Sequence, residues 1–325
     1  MSNNSKTTTK ILQEAKKTVT SRCEVVVDNL LLQKINTVEV LVLKIEDRKQ
    51  TSRLVHDLNK IFPLPTLQHI KRINKDEIVL CNADVVNPFD ILLKAKFDLT
   101  GLSSHPRKIK VPSEKPTTRK QFEDATLLWP CGFHENKYLE KLLAGTLFDQ
   151  EEQKLQLRWM KAALEAAKKS NVCVGATVVD PSNNQLIAVC GDDRTNNPVK
   201  HAIMVLIDLV ARTQNGGVWA KSAHDYFCDS QILLDSFHHK KRDVNGFGKP
   251  VGPYLCTGYD VYVTREPCQM CAMALIHSRV RRVFYGCSYK NGALGTLIKL
   301  HTVRALNHHY EVFKGIYEHE CQSLF

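Results

Sequence analysis

The residues best placed to do chemistry are Cys268 and Cys271, in the run Pro267-Cys268-Gln269-Met270-Cys271, together with His201 well upstream. Two thiols three positions apart at the start of a helix point at one spot, because i and i+3 share a face. Pro267 suits the first position of such a helix. A helix N-terminus also favours the thiolate form that binds metal. Zinc takes tetrahedral nitrogen and sulfur ligands, and a site with three protein ligands keeps a fourth position open. His201, Cys268 and Cys271 therefore form a candidate Zn²⁺ site, with His201 giving a neutral imidazole. An isolated C-x-x-C also fits a redox pair or two buried thiols, and His201 alone fits a helix cap. The flanking pattern favours metal: the Cys pair follows a β-run ending Thr264-Arg265-Glu266, and His201-Ala202 opens a helix.

The elements that must hold these residues are legible in outline. From 151 onward, Leu155, Trp159, Ala162, Ala163 and Ala166 give a helical stripe. Cys173–Val179 and Leu186–Cys190 read as strands around the turn Asp180-Pro181-Ser182-Asn183-Asn184. A helix opens at His201, and Tyr259–Thr264 is a strand running into the helix at Pro267-Cys268. Arg282–Gly286 and His309–Phe313 follow as strands, with a last helix from about Ile316. Residues 213–253 lack periodicity and read as a mobile surface insertion, in which His238-His239 reads as solvated.

Residues 37–115 follow another plan. Thr37–Ile45 is a β-branched strand, and Thr51–Phe62 is a helix stopped by Pro63. His69–Ile73 and Glu77–Cys81 form a hairpin, Pro88–Phe97 a helix, and Lys108–Val111 a final strand. The order β-α-β-β-α-β predicts an α+β ferredoxin-like domain. Residues 1–36 are expected to be a flexible segment and 116–150 a connector anchored by Phe122 and Trp129.

The chain has 325 residues, 43% of them hydrophobic, enough for two cores. Its net charge of +11 suits a phosphate-rich partner. Residues 1–115 hold twenty Lys/Arg against thirteen Asp/Glu, so most of the excess lies away from the metal motif. That basic domain is a candidate RNA-binding face, with Lys71, Arg72, Lys75, Lys108 and Lys110 as contacts; a merely solvated basic face is the plain alternative. The eleven Cys are scattered, which favours reduced thiols in the cytoplasm or nucleus over a disulfide framework. No secretory signal and no uninterrupted apolar run of about 18 residues is present, so no membrane span is expected.

The metal motif resembles the zinc-deaminase signature H-x-E…P-C-x-x-C, in which the Glu is the general acid/base and not a ligand. Here the upstream half reads His201-Ala202-Ile203, so an aliphatic residue stands in the place of that Glu. The blocks Tyr262–Cys271, Ile276-His277-Ser278-Arg279-Val280, Gly292-Ala293-Leu294-Gly295 and Leu306-Asn307-His308 resemble the bacterial tRNA adenosine deaminase, TadA. With the basic N-terminal domain, the chain is most similar to the non-catalytic subunit of the eukaryotic heterodimeric tRNA adenosine deaminase. The resemblance implies a cytidine-deaminase-like α/β domain over 151–325, three layers around a mixed sheet. It implies Zn²⁺ on His201, Cys268 and Cys271, a catalytic deaminase subunit as partner, and tRNA gripped by the N-terminal domain. It also implies service in forming inosine at the anticodon wobble position. Asn307 matches an RNA-contacting position of active relatives.

Ile203 has no titratable atom, and general acid/base participation is worth about 10²–10⁴-fold. No catalytic residue is therefore expected. Glu266 precedes the Cys pair and reads as a buried structural carboxylate, and Asp208 lies on another part of its helix. A water or the C-terminal tail around Phe325 could complete the metal's coordination. Two other functions stay open: an active zinc-dependent nucleobase deaminase working alone with a displaced carboxylate, and a standalone zinc-stabilised RNA-binding protein.

Overall fold

The computed structural model describes residues 23–214, 216–219 and 253–325. Two compact units emerge: Asn29–Lys141, and Leu142–Phe325 together with the stretch before Asn29. The described part begins with a short strand, β1 (Glu24–Val25), and a single helical turn, α1 (Asn29–Leu32).

In the first unit, β2 (Thr37–Lys44), α2 (Thr51–Ile61), β3 (Ile73–Asn74), β4 (Glu77–Asn82), α3 (Pro88–Lys94) and β5 (Arg107–Pro112) follow the expected order. The four strands pair antiparallel as β3-β4-β2-β5, the ferredoxin-like arrangement. On β2, Leu43 faces a core with Leu54 and Leu58 of α2 and Leu92 of α3. The alternate residues Val40 and Val42 face the other way, as period-2 geometry dictates. That second face is covered by α4 (Arg119–Leu128), through Ala125 and Trp129 with Phe122 packed alongside. Trp129 Nε1 donates to the Lys71 carbonyl at 2.6 Å, satisfying a buried indole. The stretch expected as a connector is therefore divided: α4 belongs to the N-terminal unit, which runs to Lys141.

Helix α5 (Lys137–Leu143) spans the chain boundary between the units, and the second unit continues with α6 (Gln150–Lys169), β6 (Gly175–Asp180), β7 (Gln185–Gly191), α7 (Ala202–Thr213), β8 (Asp260–Arg265), α8 (Gln269–His277), β9 (Arg282–Cys287), β10 (Glu311–Lys314) and α9 (Glu318–Gln322). A reciprocal capping box starts α6: Asp149 accepts from Glu152 N at 2.8 Å, and Glu152 accepts from Asp149 N at 3.0 Å. The six-stranded mixed sheet runs β1-β10-β9-β8-β6-β7, with β8, β9 and β10 parallel. Helices α7 and α8 cover one face through a core that includes Ile203, Leu206, Ala272, Leu275, Val261, Val263 and Val283. Helices α6 and α9 cover the other. At Gly175 a Cβ would lie 2.1 Å from the Ala163 carbonyl oxygen, so only glycine lets α6 approach β6 this closely.

One expectation needs correction. Residues 23–36 are not a flexible segment: β1 pairs antiparallel with β10, Val26 is buried, and its carbonyl accepts from His301 Nε2 at 2.7 Å. Glu24 and Val25, paired with Lys314 and Phe313, complete that edge of the sheet. The insertion expected over 213–253, including His238 and His239, falls almost wholly outside the described residues. Among those described, no helix is long and apolar enough to cross a membrane.

Candidate metal centre

The two halves of the motif meet at the carboxyl end of the sheet. His201 is the N-cap of α7 and Cys268 the N-cap of α8, so both arrive in extended backbone just before a helix begins. His201 Nδ1 lies 3.5 Å from Cys268 Sγ and 3.6 Å from Cys271 Sγ. With Zn–S near 2.3 Å and Zn–N near 2.0 Å, a tetrahedral ion demands a nitrogen–sulfur separation of roughly 3.5 Å. The three ligand atoms all fall within 4.8 Å of one another, so the residues present fit such an ion. The hydrogen bond from Cys271 holds the Cys268 thiol down to about 5. The same bond and burial push Cys271 up. A metal takes both sulfurs as thiolates, so ion binding at this site would be coupled to loss of thiol protons.

These ligands stand at one wall of a cavity of about 230 Å³ that Asp192, Arg194, Ile203, Arg265, Glu266 and Tyr289 also line. Ile203 is 2% exposed and packs into the core, so the wall that would carry a general acid/base is aliphatic. Two carboxylates remain, and both are fully engaged. Asp192 accepts from Arg194 N at 3.1 Å, Arg194 Nε at 2.7 Å and Ala202 N at 3.1 Å, besides Arg194 Nη2 at 2.5 Å. Glu266 Oε1 accepts from Leu294 N and Thr296 N, each at 3.0 Å; its Oε2 accepts from Tyr289 N at 3.1 Å and from the Thr296 hydroxyl. Gly292 makes that cradle possible, since a Cβ there would lie 2.1 Å from the Glu266 carboxyl carbon. Glu266 is a bracket for the 289–296 loop, as its sequence position suggested. Asp208 is held by Arg212 and by the amide of Val218, and it does not line the cavity. At the cavity wall the Arg265 guanidinium lies between the rings of Tyr289 and Phe325, at 4.5 and 4.2 Å.

Sequence reasoning missed Asp192, Arg194 and Arg265. Only the clustering of charge in Gly191-Asp192-Asp193-Arg194 at a strand end hinted at the first two.

The predicted RNA contacts scatter. Lys71 and Lys75 are exposed beside β3, and Lys108 and Lys110 are exposed on β5. These are opposite edges of the sheet, three strand spacings or roughly 14 Å apart. Arg72 is a correction. Its guanidinium donates to the carbonyls of Val79, Phe62 and Leu80 and to Asn59 Oδ1, at 2.6–3.1 Å. It caps the β4 carbonyls that the two-residue β3 leaves unpaired, and burial pushes its pKa down to about 10. Charge suggested a surface role; the short strand converts it to a structural one.

Comparison with known proteins agrees with this geometry. A family described as "Cytidine and deoxycytidylate deaminase zinc-binding region" matches residues 150–287, which defines the class of the second unit. The "tRNA-specific adenosine deaminase TAD3 N-terminal domain" matches residues 38–129. The chain is 42% identical to the Danio rerio "Probable inactive tRNA-specific adenosine deaminase-like protein 3", over 86% of this chain and 86% of that protein. It is 38% identical to the Homo sapiens protein of that name, over 86% of this chain and 84% of the other. With the Saccharomyces cerevisiae "tRNA-specific adenosine deaminase subunit TAD3" it shares 30% identity, over 90% of this chain and 91% of that one. The chain belongs to the family of tRNA-specific adenosine deaminase-like protein 3, the TAD3 family.

Proposed function

We propose that this chain is the non-catalytic, zinc-binding subunit of a heterodimeric tRNA adenosine deaminase that forms inosine at the anticodon wobble position. It binds and positions tRNA and supports a catalytic partner. The observation that carries this reading is the cavity: a ligand set spaced for a tetrahedral ion, Ile203 where a proton relay belongs, and no carboxylate with a free oxygen. Zinc held by His201, Cys268 and Cys271 would supply a Lewis acid and a bound water of lowered pKa. With Ile203 aliphatic and both lining carboxylates engaged, no carboxylate is free to move the protons that deamination requires, so an ion held here would serve to tie the first turns of α7 and α8 together. The relatives' names support the same reading, being subunits of a tRNA adenosine deaminase or its probable inactive form.

The partner is a deaminase subunit of similar fold that keeps its Glu. Helices α7 and α8 leave Met204, Ile207, Met270 and Met273 only partly covered, and Leu297 and Ile298 are 58% and 38% exposed. Such an apolar surface suits a partner. The N-terminal unit carries the basic residues for the tRNA body.

The test is inosine formation in tRNA by this chain alone, by the Glu-bearing homologue alone, and by the two together. Activity is expected from the pair only. Turnover by the lone chain, or full activity of the homologue without it, would refute the reading.

A further inference from the structure

Helix α7 begins with a residue that does not cap it. An N-cap side chain ordinarily accepts from one of the first amides of its helix. His201 holds that position without such a bond, its Nδ1 facing the two thiols instead. The missing acceptor comes from the end of β7: Ala202 N donates to Asp192 Oδ2 at 3.1 Å. The Asp192 side chain is fully buried, and its backbone is fixed on both sides. Asp192 N donates to the Val174 carbonyl at 2.8 Å, and its own carbonyl accepts from Ser170 Oγ at 2.8 Å. Arg194 clamps the carboxylate from the other side, through Nε at 2.7 Å and its backbone N at 3.1 Å. The acceptor therefore reaches α7 from a rigid point of the sheet.

A metal-ligating histidine usually donates its second ring N–H to a carboxylate or a carbonyl, which fixes the plane of the ring. His201 Nε2 has no such partner among the described residues, so the backbone must aim the imidazole. His201 N donates to the Val199 carbonyl at 2.9 Å, and the peptide that follows its Cα is the one Asp192 holds. A lone carboxylate beside two thiolates would repel them; the Arg194 fork offsets that charge within the same cavity. We propose that Asp192, clamped by Arg194, is a positioning residue for the metal: it supplies the cap that His201 gives up, and thereby directs the imidazole toward Cys268 and Cys271. The inference rests on the metal-binding part of the proposed function and deepens it.

The test measures zinc affinity by competition with a chelator, and the visible absorption of the cobalt-loaded protein, which reports ligand geometry where zinc is silent. It compares full-length wild type with Asp192→Ala, Asp192→Asn and Asp260→Ala. Asp192→Ala should weaken zinc about 10–100-fold and alter the cobalt bands. Asp192→Asn can still turn an oxygen to Ala202 N, and should recover most of both. Asp260→Ala breaks another buried Asp–Arg pair, with Arg281 at 2.8–2.9 Å, at the end of β8 away from Cys268. It should lower the melting temperature while zinc affinity and cobalt bands stay as in wild type. Should Asp192→Ala not fold, Asp192→Ser, polar but too short to reach Ala202 N, takes its place with the same expected loss. Wild-type affinity and bands in Asp192→Ala overturn the positioning role and leave the metal site standing. An equal loss in Asp260→Ala assigns the effect to general loosening and also overturns it. A wild-type chain that takes up no zinc removes the metal reading itself.

Discussion

Glu266→Gln separates a structural bracket from a displaced catalytic base. The carboxylate is 2% exposed and accepts three backbone amides and one hydroxyl, two donors on each oxygen. A glutamine keeps the shape but turns one oxygen into a donor. Placed on the Oε1 side, its NH₂ confronts the amides of Leu294 and Thr296. Placed on the Oε2 side, it can donate to the Thr296 hydroxyl, which rotates, but it still faces the Tyr289 amide. The better choice thus leaves one donor unsatisfied and weakens the other bonds by removing the charge. An unsatisfied buried donor costs about 1–3 kcal/mol, and bonds to a charged group are worth about 1.5–3 kcal/mol against 0.5–1.5 for neutral ones. The total is about 3 kcal/mol, or roughly 6–12 °C in Tm for a unit of this size. Melting followed by near-ultraviolet circular dichroism reads the shift. A Tm within about 2 °C of wild type would show that the carboxylate is not holding the 289–296 loop, and would return Glu266 to the candidates for proton transfer.

Cys268→Ala should abolish zinc binding and lower the stability of the deaminase-like unit, because ligand binding there is folding free energy; wild-type metal content and Tm would contradict this. Arg72→Ala should destabilise the N-terminal unit by about 2–4 kcal/mol through its lost charged hydrogen bonds, without changing the salt dependence of tRNA binding. Lys108→Ala with Lys110→Ala should do the reverse, reducing the salt slope by about 1–2 with Tm unchanged; equal slopes in all three proteins would clear β5 of phosphate contact. His301 gives a pH signature. It is buried, donates from Nε2 to Val26, and its Nδ1 has no partner among the described residues. Burial pushes its pKa below the ordinary value of 6.5. The unfolded chain therefore takes up a proton first: stability is full above about pH 6.5 and falls as pH drops toward the folded pKa. His301→Gln, which can still donate to Val26, should flatten that limb of Tm against pH, and parallel curves would exclude His301 as its source.

The parts legible in the sequence were those fixed by local spacing. Cys268 and Cys271 are one helical turn apart, so their convergence needs no knowledge of the rest of the chain, and Thr51–Ile61 shows its buried Leu54 and Leu58 by period alone. What escaped depends on distant pairing. Strand β1 is two residues long and meets β10 across almost the whole sequence, which no local pattern records. Arg72 looks like surface charge until the shortness of β3 exposes carbonyls for it to cap. Helix α4 read as part of a connector because the face it covers is made by strands far upstream. Ile203 was legible as a missing carboxylate, yet the stronger point, that Asp192 and Glu266 have no free oxygen, came only from the amides that surround them.

The central claim is a metal site without a proton relay. Zinc content and inosine release, measured on one preparation of the isolated chain with tRNA, test it directly. Bound zinc with no inosine above background is the expected result. Inosine formed by the chain alone would contradict the account, as would a folded chain that never holds the metal.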